Sequence, residues 1–125
     1  MFERGQMTKE EVLEYINSEY RRLDSICGVN TSGIEVSLSN RMTRQLGCFT
    51  YKRNGFTKKL QIKISTRIIN DTELFLDVIR HEYAHAVVYL RHPHQKHLHD
   101  SVWKSVCAEV GCTPRAAIKI EKRPE

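Results

Sequence analysis

Two histidines and a glutamate in the run His81-Glu82-Tyr83-Ala84-His85 follow the order H-E-x-x-H. Residues four apart on a helix share a face, so both imidazoles can reach one ion. Glu82 directly follows His81, where its carboxylate can meet a water held by that ion. A zinc ion bound in this way makes a hydroxide-like nucleophile near neutral pH, and the carboxylate takes the proton. Three fixed letters recur by chance in roughly one chain in a few hundred of this size, so context has to decide.

The element that carries the motif reads as a helix capped by Asn70 or Asp71, running to about Arg91 and stopped by Pro93. Asp71 and Glu73 suit the positive end of its dipole. On a wheel, Leu76, Ile79, Tyr83, Val87 and Leu90 form one apolar stripe, and Glu73, Asp77, Arg80 and Arg91 a narrow charged one. His81 and His85 point away from the apolar stripe, with Leu74 and Val78 near them. A helix apolar nearly all round is buried. Two histidines and a glutamate inside such a helix are costly without partners, which favours a metal site over hydrogen-bonded histidines.

A catalytic zinc takes three protein ligands and keeps one position open. All six histidines lie between positions 81 and 99, and the candidates for the third ligand are His92, His94, His97, His99, Asp100 and Glu109. A ligand on a loop tip is poorly held. His99 sits where the loop enters the last helix, and Trp103, one turn later, can fix its ring. That favours His99 and leaves His97 and His94 open. Glu109 lies nearly three turns farther on, and His92, His94 and His97 read as exposed loop residues. For an additional oxyanion donor, Tyr83 faces the core stripe, which leaves His94 or His97.

The elements around this helix can also be read. Thr8-Lys9-Glu10-Glu11 is a capping box, and Val12, Ile16, Tyr20 and Leu23 continue it as a helix to about Asp24, with Gly28 just past its end. Ile34, Val36 and Leu38 alternate with polar residues as a half-buried strand. A second strand from Leu46 to Tyr51 and a third through Leu60, Ile62 and Ile64 flank Asn54-Gly55, a two-residue hairpin signal. That turn sets Phe49 opposite Leu60 and Tyr51 opposite Lys58, with Phe49, Leu60 and Ile62 on the face under a helix. The last helix begins near Asp100-Ser101, turns Val102, Trp103, Val106 and Val110 inward, and ends at Gly111. The tail from Arg115 to Glu125 reads as a short turn or edge strand ending in charge. The expectation is an α+β fold of minimal zincin-like form. A small antiparallel three-stranded sheet packs on an N-terminal helix, the buried active-site helix and a C-terminal helix. Residues 1–125 form one domain, with its core at about 8–112 and a tail at 113–125.

Bulk composition, 40% hydrophobic and 28% charged, is that of a globular protein with a real core. No run approaches 18 apolar residues, and the start has no apolar run, so neither a membrane span nor a signal peptide is expected. Cys27, Cys48, Cys107 and Cys112 form no C-x-x-C pair and read as reduced thiols in a cytoplasmic protein. Net charge is +5, and between Glu35 and Asp71 there is no acid. That block holds Arg41, Arg44, Lys52, Arg53, Lys58, Lys59, Lys63 and Arg67, a candidate footprint for nucleic acid or else a solvated sheet face.

Taken together, Asn40-Arg41-Met42-Thr43-Arg44-Gln45-Leu46-Gly47, the strand ending in Ile64-Ser65, His81-Glu82-Tyr83-Ala84-His85-Ala86, and His99 followed by Trp103 resemble the SprT-like metallopeptidase domain of the SprT/Spartan family. The likeness covers roughly Thr8 to Cys112. It implies that His81, His85 and His99 bind one catalytic zinc and that Glu82 is the base. It also implies an endopeptidase acting on proteins, with DNA-associated or DNA-crosslinked proteins as the substrate class. Two features depart from the family. Asp100 stands where a glycine usually follows the third histidine, and with no cysteine after Cys112 neither the zinc ribbon nor the long recruitment tail of other members is expected. Partner recognition, including DNA contact through the 41–67 block, is then expected within this domain, as a monomer that is at most nucleoid-associated. Two alternatives stand beside this reading. One is a regulatory peptidase that cuts a single partner such as a repressor. The other is a non-enzymatic DNA-binding module whose structural zinc is closed by a fourth ligand, His97 or Asp100.

Overall fold

A computed structural model of the chain describes residues 7–42, 44–55, 57–93 and 99–114. Helix α1 (Lys9–Cys27) starts at the expected capping box: Thr8 Oγ1 accepts the Glu11 N–H at 3.1 Å, and Glu11 Oε1 accepts the Thr8 N–H at 2.8 Å. It continues past Asp24 to Cys27 and ends where Gly28 turns left-handed at φ 68°. Val12, Ile16, Tyr20 and Leu23 are buried.

Strands β1 (Glu35–Ser39), β2 (Gly47–Asn54) and β3 (Thr57–Ser65) form one sheet in the order β1-β3-β2. The class is α+β, as expected, but the sheet is mixed rather than wholly antiparallel. β2 and β3 form an antiparallel hairpin, whereas β1 lies parallel to β3, with Val36 opposite Ile62 and Leu38 opposite Ile64. The physical reason is the placement of the most buried strand. With β3 in the centre, Ile62 and Ile64 are excluded from solvent, and β1 takes the edge left open, where it runs in the same direction as β3.

The hairpin register also differs from expectation. Asn54 pairs with Thr57, Tyr51 with Leu60 and Phe49 with Ile62. The pairing therefore closes one residue later than a turn at Asn54-Gly55 requires, with Gly55 left-handed at φ 64°. Phe49 thus faces Ile62 rather than Leu60, and Tyr51 faces Leu60 rather than Lys58. The slip is an even number of residues, so Phe49, Leu60 and Ile62 keep their common face.

A short 3-10 turn (Thr66–Ile68) leads into helix α2 (Thr72–Arg91), which Asp71 caps by accepting the Leu74 N–H at 3.2 Å. Phe75, Val78, Ile79, Tyr83, Ala84, Ala86, Val87 and Val88 bury it on both sides, while Leu76 and Leu90 are only half-buried. Three polar links to α1 fix its rotation. Tyr20 Oη donates to the Ile79 carbonyl at 2.7 Å, Tyr83 Oη to Asp24 Oδ1 at 2.7 Å, and Arg80 Nε to Glu19 Oε2 at 2.9 Å. Helix α3 (Ser101–Val110) ends at Gly111, left-handed at φ 80°. The tail expected at 115–125 lies outside the described residues. Among those described, no helix is long and apolar enough to cross a membrane.

Candidate metal centre

Helix α2 sets His81 and His85 one turn apart on one face, and the start of α3 brings His99 to them. His85 Nε2 lies 3.0 Å from His99 Nε2, and His99 Nε2 lies 3.3 Å from His81 Nε2. The three rings therefore offer one ligand atom each, all within 4.8 Å of one another. Nitrogens bound at about 2.0–2.1 Å around a tetrahedral zinc stand about 3.3 Å apart. The two separations from His99 fit that value to a few tenths of an ångström, and three histidines can hold a metal ion here.

Trp103, expected to steady His99 alone, is the floor of the whole group. Its indole lies 4.8 Å from the His81 ring, stacks on His85 at 5.3 Å and 21°, and meets His99 edge-on at 4.7 Å. It is fully buried. Among the described residues, His81 Nδ1 and Trp103 Nε1 are buried without a hydrogen-bond partner. Asp77, one turn before His81, is the acid whose charge acts on that imidazole. A ring that presents Nε2 to an ion carries its proton on Nδ1, so the open His81 Nδ1 is where an orienting acceptor would sit.

The other candidates have other work. Asp100 caps α3, its Oδ1 accepting the Trp103 N–H at 3.1 Å, so the aspartate in the usual glycine position starts the helix that carries the tryptophan floor. Glu109 pairs with Arg91 at 2.8 and 3.0 Å. The His92 backbone ends α2, donating to the Val88 carbonyl at 2.8 Å. Tyr83, bonded to Asp24, is no oxyanion donor, as expected. His94 and His97 lie outside the described residues.

Burial dominates the electrostatics. It pulls His81 down to about 4, helped by His99 and opposed by Asp77. It pulls His85 down to about 3, helped by His81 and His99, and it lowers His99 as well. All three rings are thus neutral at pH 7 and have lone pairs free for a cation. Glu82 is buried beside them, and desolvation pushes its carboxyl up to about 8.

Strand β2 runs alongside α2, with Gly47 against Glu82 and a cluster of Phe49, Tyr51 and Tyr89 farther along. Tyr51 and Tyr89 lie 4.3 Å apart, and Lys58 Nζ sits 5.9 Å over the Tyr89 ring. Of the basic block, Arg41 and Arg44 are exposed between β1 and β2. Lys52 and Lys59 face each other on one exposed rung, Arg53 and Lys58 on the next, and Lys63 is exposed opposite Cys48.

The SprT-like family model matches residues 9–122 of the chain. That is nearly its whole length, and the chain belongs to this family. Membership fits a metallopeptidase-like domain with the histidine cluster as its metal site. No curated protein matches the chain.

Proposed function

We propose that this member of the SprT-like family is a zinc-dependent endopeptidase. The observation that carries the reading is the convergence of three neutral imidazoles on one point, with the buried Glu82 carboxylate next to the first of them. His81, His85 and His99 would hold the zinc, which when bound supplies a Lewis acid for the scissile carbonyl, lowers the pKa of a water and favours the ionised form of Glu82. Glu82 accepts a proton from the attacking water and returns it to the departing amine. Trp103 keeps the imidazoles in place and excludes water from their rear. The peptide lies extended against β2, an edge strand whose first residue leaves no room for a side chain beside Glu82. A structural zinc closed by Asp100 is the weaker reading, because that carboxylate caps α3.

Contact with nucleic acid is the second part of the proposal. Like charges directly opposite on neighbouring strands destabilise a sheet. Here two successive rungs pair cation with cation, Lys52–Lys59 on one face of the hairpin and Arg53–Lys58 on the other, and Glu35 lies 4.0 Å from Lys59. A polyanion against the Arg53–Lys58 rung would offset its repulsion, and the Tyr51–Tyr89 pair on the same face suits unpaired bases, which favours a single strand. The test is to incubate the zinc-loaded chain and its Glu82→Gln variant with a basic DNA-binding protein, with and without single-stranded DNA. The proposal expects cleavage by the wild type, stimulated by DNA, and none by the variant. Equal cleavage by both would overturn the peptidase, and indifference to DNA would remove the second part.

A further inference from the structure

The Glu82 side chain is buried, and no hydrogen bond to its carboxylate occurs among the described residues. Something other than hydrogen bonding must therefore aim it. The neighbour that does so is a glycine. A Cβ added at Gly47 would lie 2.9 Å from Glu82 Cγ, 2.9 Å from Val78 Cγ1 and 3.1 Å from Glu82 Oε2. Ordinary contact between carbon atoms is about 3.5–4.0 Å. Gly47 is absent from the positive-φ positions, so glycine stands here for space and not for backbone conformation.

The two sides of this contact differ in their freedom to move. Gly47 is paired with the fully buried Ile64, and the Leu46 carbonyl before it accepts the Ser65 N–H at 2.9 Å, which ties the start of β2 to the end of β3. Val78 is a β-branched residue on a buried helix and has one strongly preferred rotamer. The Glu82 side chain is the flexible group among the three. An added methyl would move it by roughly 0.6–1 Å, and a misplacement of about 1 Å can cost about 100-fold in rate.

We propose that Gly47 is a positioning residue for Glu82: the bare backbone at the start of β2 is the wall that directs the carboxylate to the metal centre. The proposal rests on Glu82 being the base of the peptidase. It makes the edge strand part of the catalytic geometry, since the strand expected to receive the peptide also sets where the proton acceptor stands. The His81, His85 and His99 rings are not among the groups nearest the added atom, so metal binding is separable from positioning.

The test uses the full chain, zinc-loaded, as wild type, Gly47→Ala, Val78→Ala and the Gly47→Ala/Val78→Ala double variant. Zinc affinity, thermal stability, kcat, KM and the crystallographic position of Glu82 are measured for each. The expected result is zinc affinity within about threefold of wild type throughout and KM nearly unchanged, with kcat about 100-fold lower in both variants that carry the Gly47→Ala change. Val78→Ala in the double variant relieves the second clash and recovers stability, but not kcat. Should Gly47→Ala fail to fold, the double variant carries the same test. A kcat for Gly47→Ala within about threefold of wild type would overturn the proposal. So would full recovery of kcat in the double variant, which would assign the glycine to packing against Val78. If the wild type cleaves no peptide, the peptidase reading falls by itself. The crystal structures then decide the positioning claim, and a Glu82 carboxylate that stays in place in the Gly47→Ala variant refutes it.

Discussion

At the scale of single residues, the centre combines groups that need opposite protonation behaviour. His81 and His85 ionise at about 4 and 3, against an ordinary 6.5, because they are buried. Below pH 6.5 the unfolded metal-free chain takes up more protons at these sites than the folded one, so they withdraw stability as pH falls from about 6.5 toward 4. Glu82 has the opposite sign. Its carboxyl is raised from 4.5 to about 8, so the stability it contributes is present below 4.5 and is lost as pH rises toward 8. Two histidines outweigh one glutamate between 4.5 and 6.5, and the glutamate acts alone above that. Metal-free protein should therefore be most stable near pH 6.5, and Glu82→Gln should flatten the alkaline limb and steepen the acid one. Thermal melts from pH 4.5 to 8 check this; a stability that climbs steadily to pH 8 would contradict it. Trp103→Ala should lose about 3–5 kcal/mol of stability and much of the zinc affinity, because one buried ring backs all three imidazoles. Chemical denaturation and zinc competition measure the two effects, and a variant that melts early but binds zinc as before would confine Trp103 to the core.

At the scale of elements, α2 is held by links whose partners lie far apart in the chain. Tyr83 and Asp24 are 59 residues apart, as are Tyr20 and Ile79. Tyr83→Phe should cost about 1–2 kcal/mol and leave zinc affinity within a few-fold, since the Tyr20 and Arg80 links remain. A collapse of zinc affinity would show that this one hydroxyl sets the rotation of α2. Such links leave no trace in a sequence, where Tyr20 and Tyr83 read only as members of apolar stripes. Caps are different. Thr8, Glu11, Asp71 and Gly111 act on their own helix within a few residues, and their roles can be read directly. The direction of β1 and the exact hairpin pairing cannot, because alternation with a period of two looks the same for either direction and for any even slip. His99 is within reach because Trp103 follows one turn later. Gly47 is not, since a glycine with ordinary dihedral angles carries no local signal of the atoms it makes room for.

At the scale of the whole molecule, the helices gather the metal ligands on one side of the hairpin and the two cationic rungs occupy the other end of its strands. If a single strand of nucleic acid binds there, Arg53→Glu with Lys58→Glu should weaken binding and reduce the salt slope by about 1.4 for two lost phosphate contacts, while zinc content stays unchanged. Fluorescence anisotropy across a salt series measures this, and an unchanged slope would move the contact elsewhere. Zinc X-ray absorption on the loaded chain separates a three-histidine centre with one open position from a closed site. It should show three imidazole nitrogens and one water oxygen at about 2.0–2.1 Å, with His99→Ala losing a nitrogen. A fourth protein ligand in the wild type, or a spectrum unaltered by His99→Ala, would contradict it.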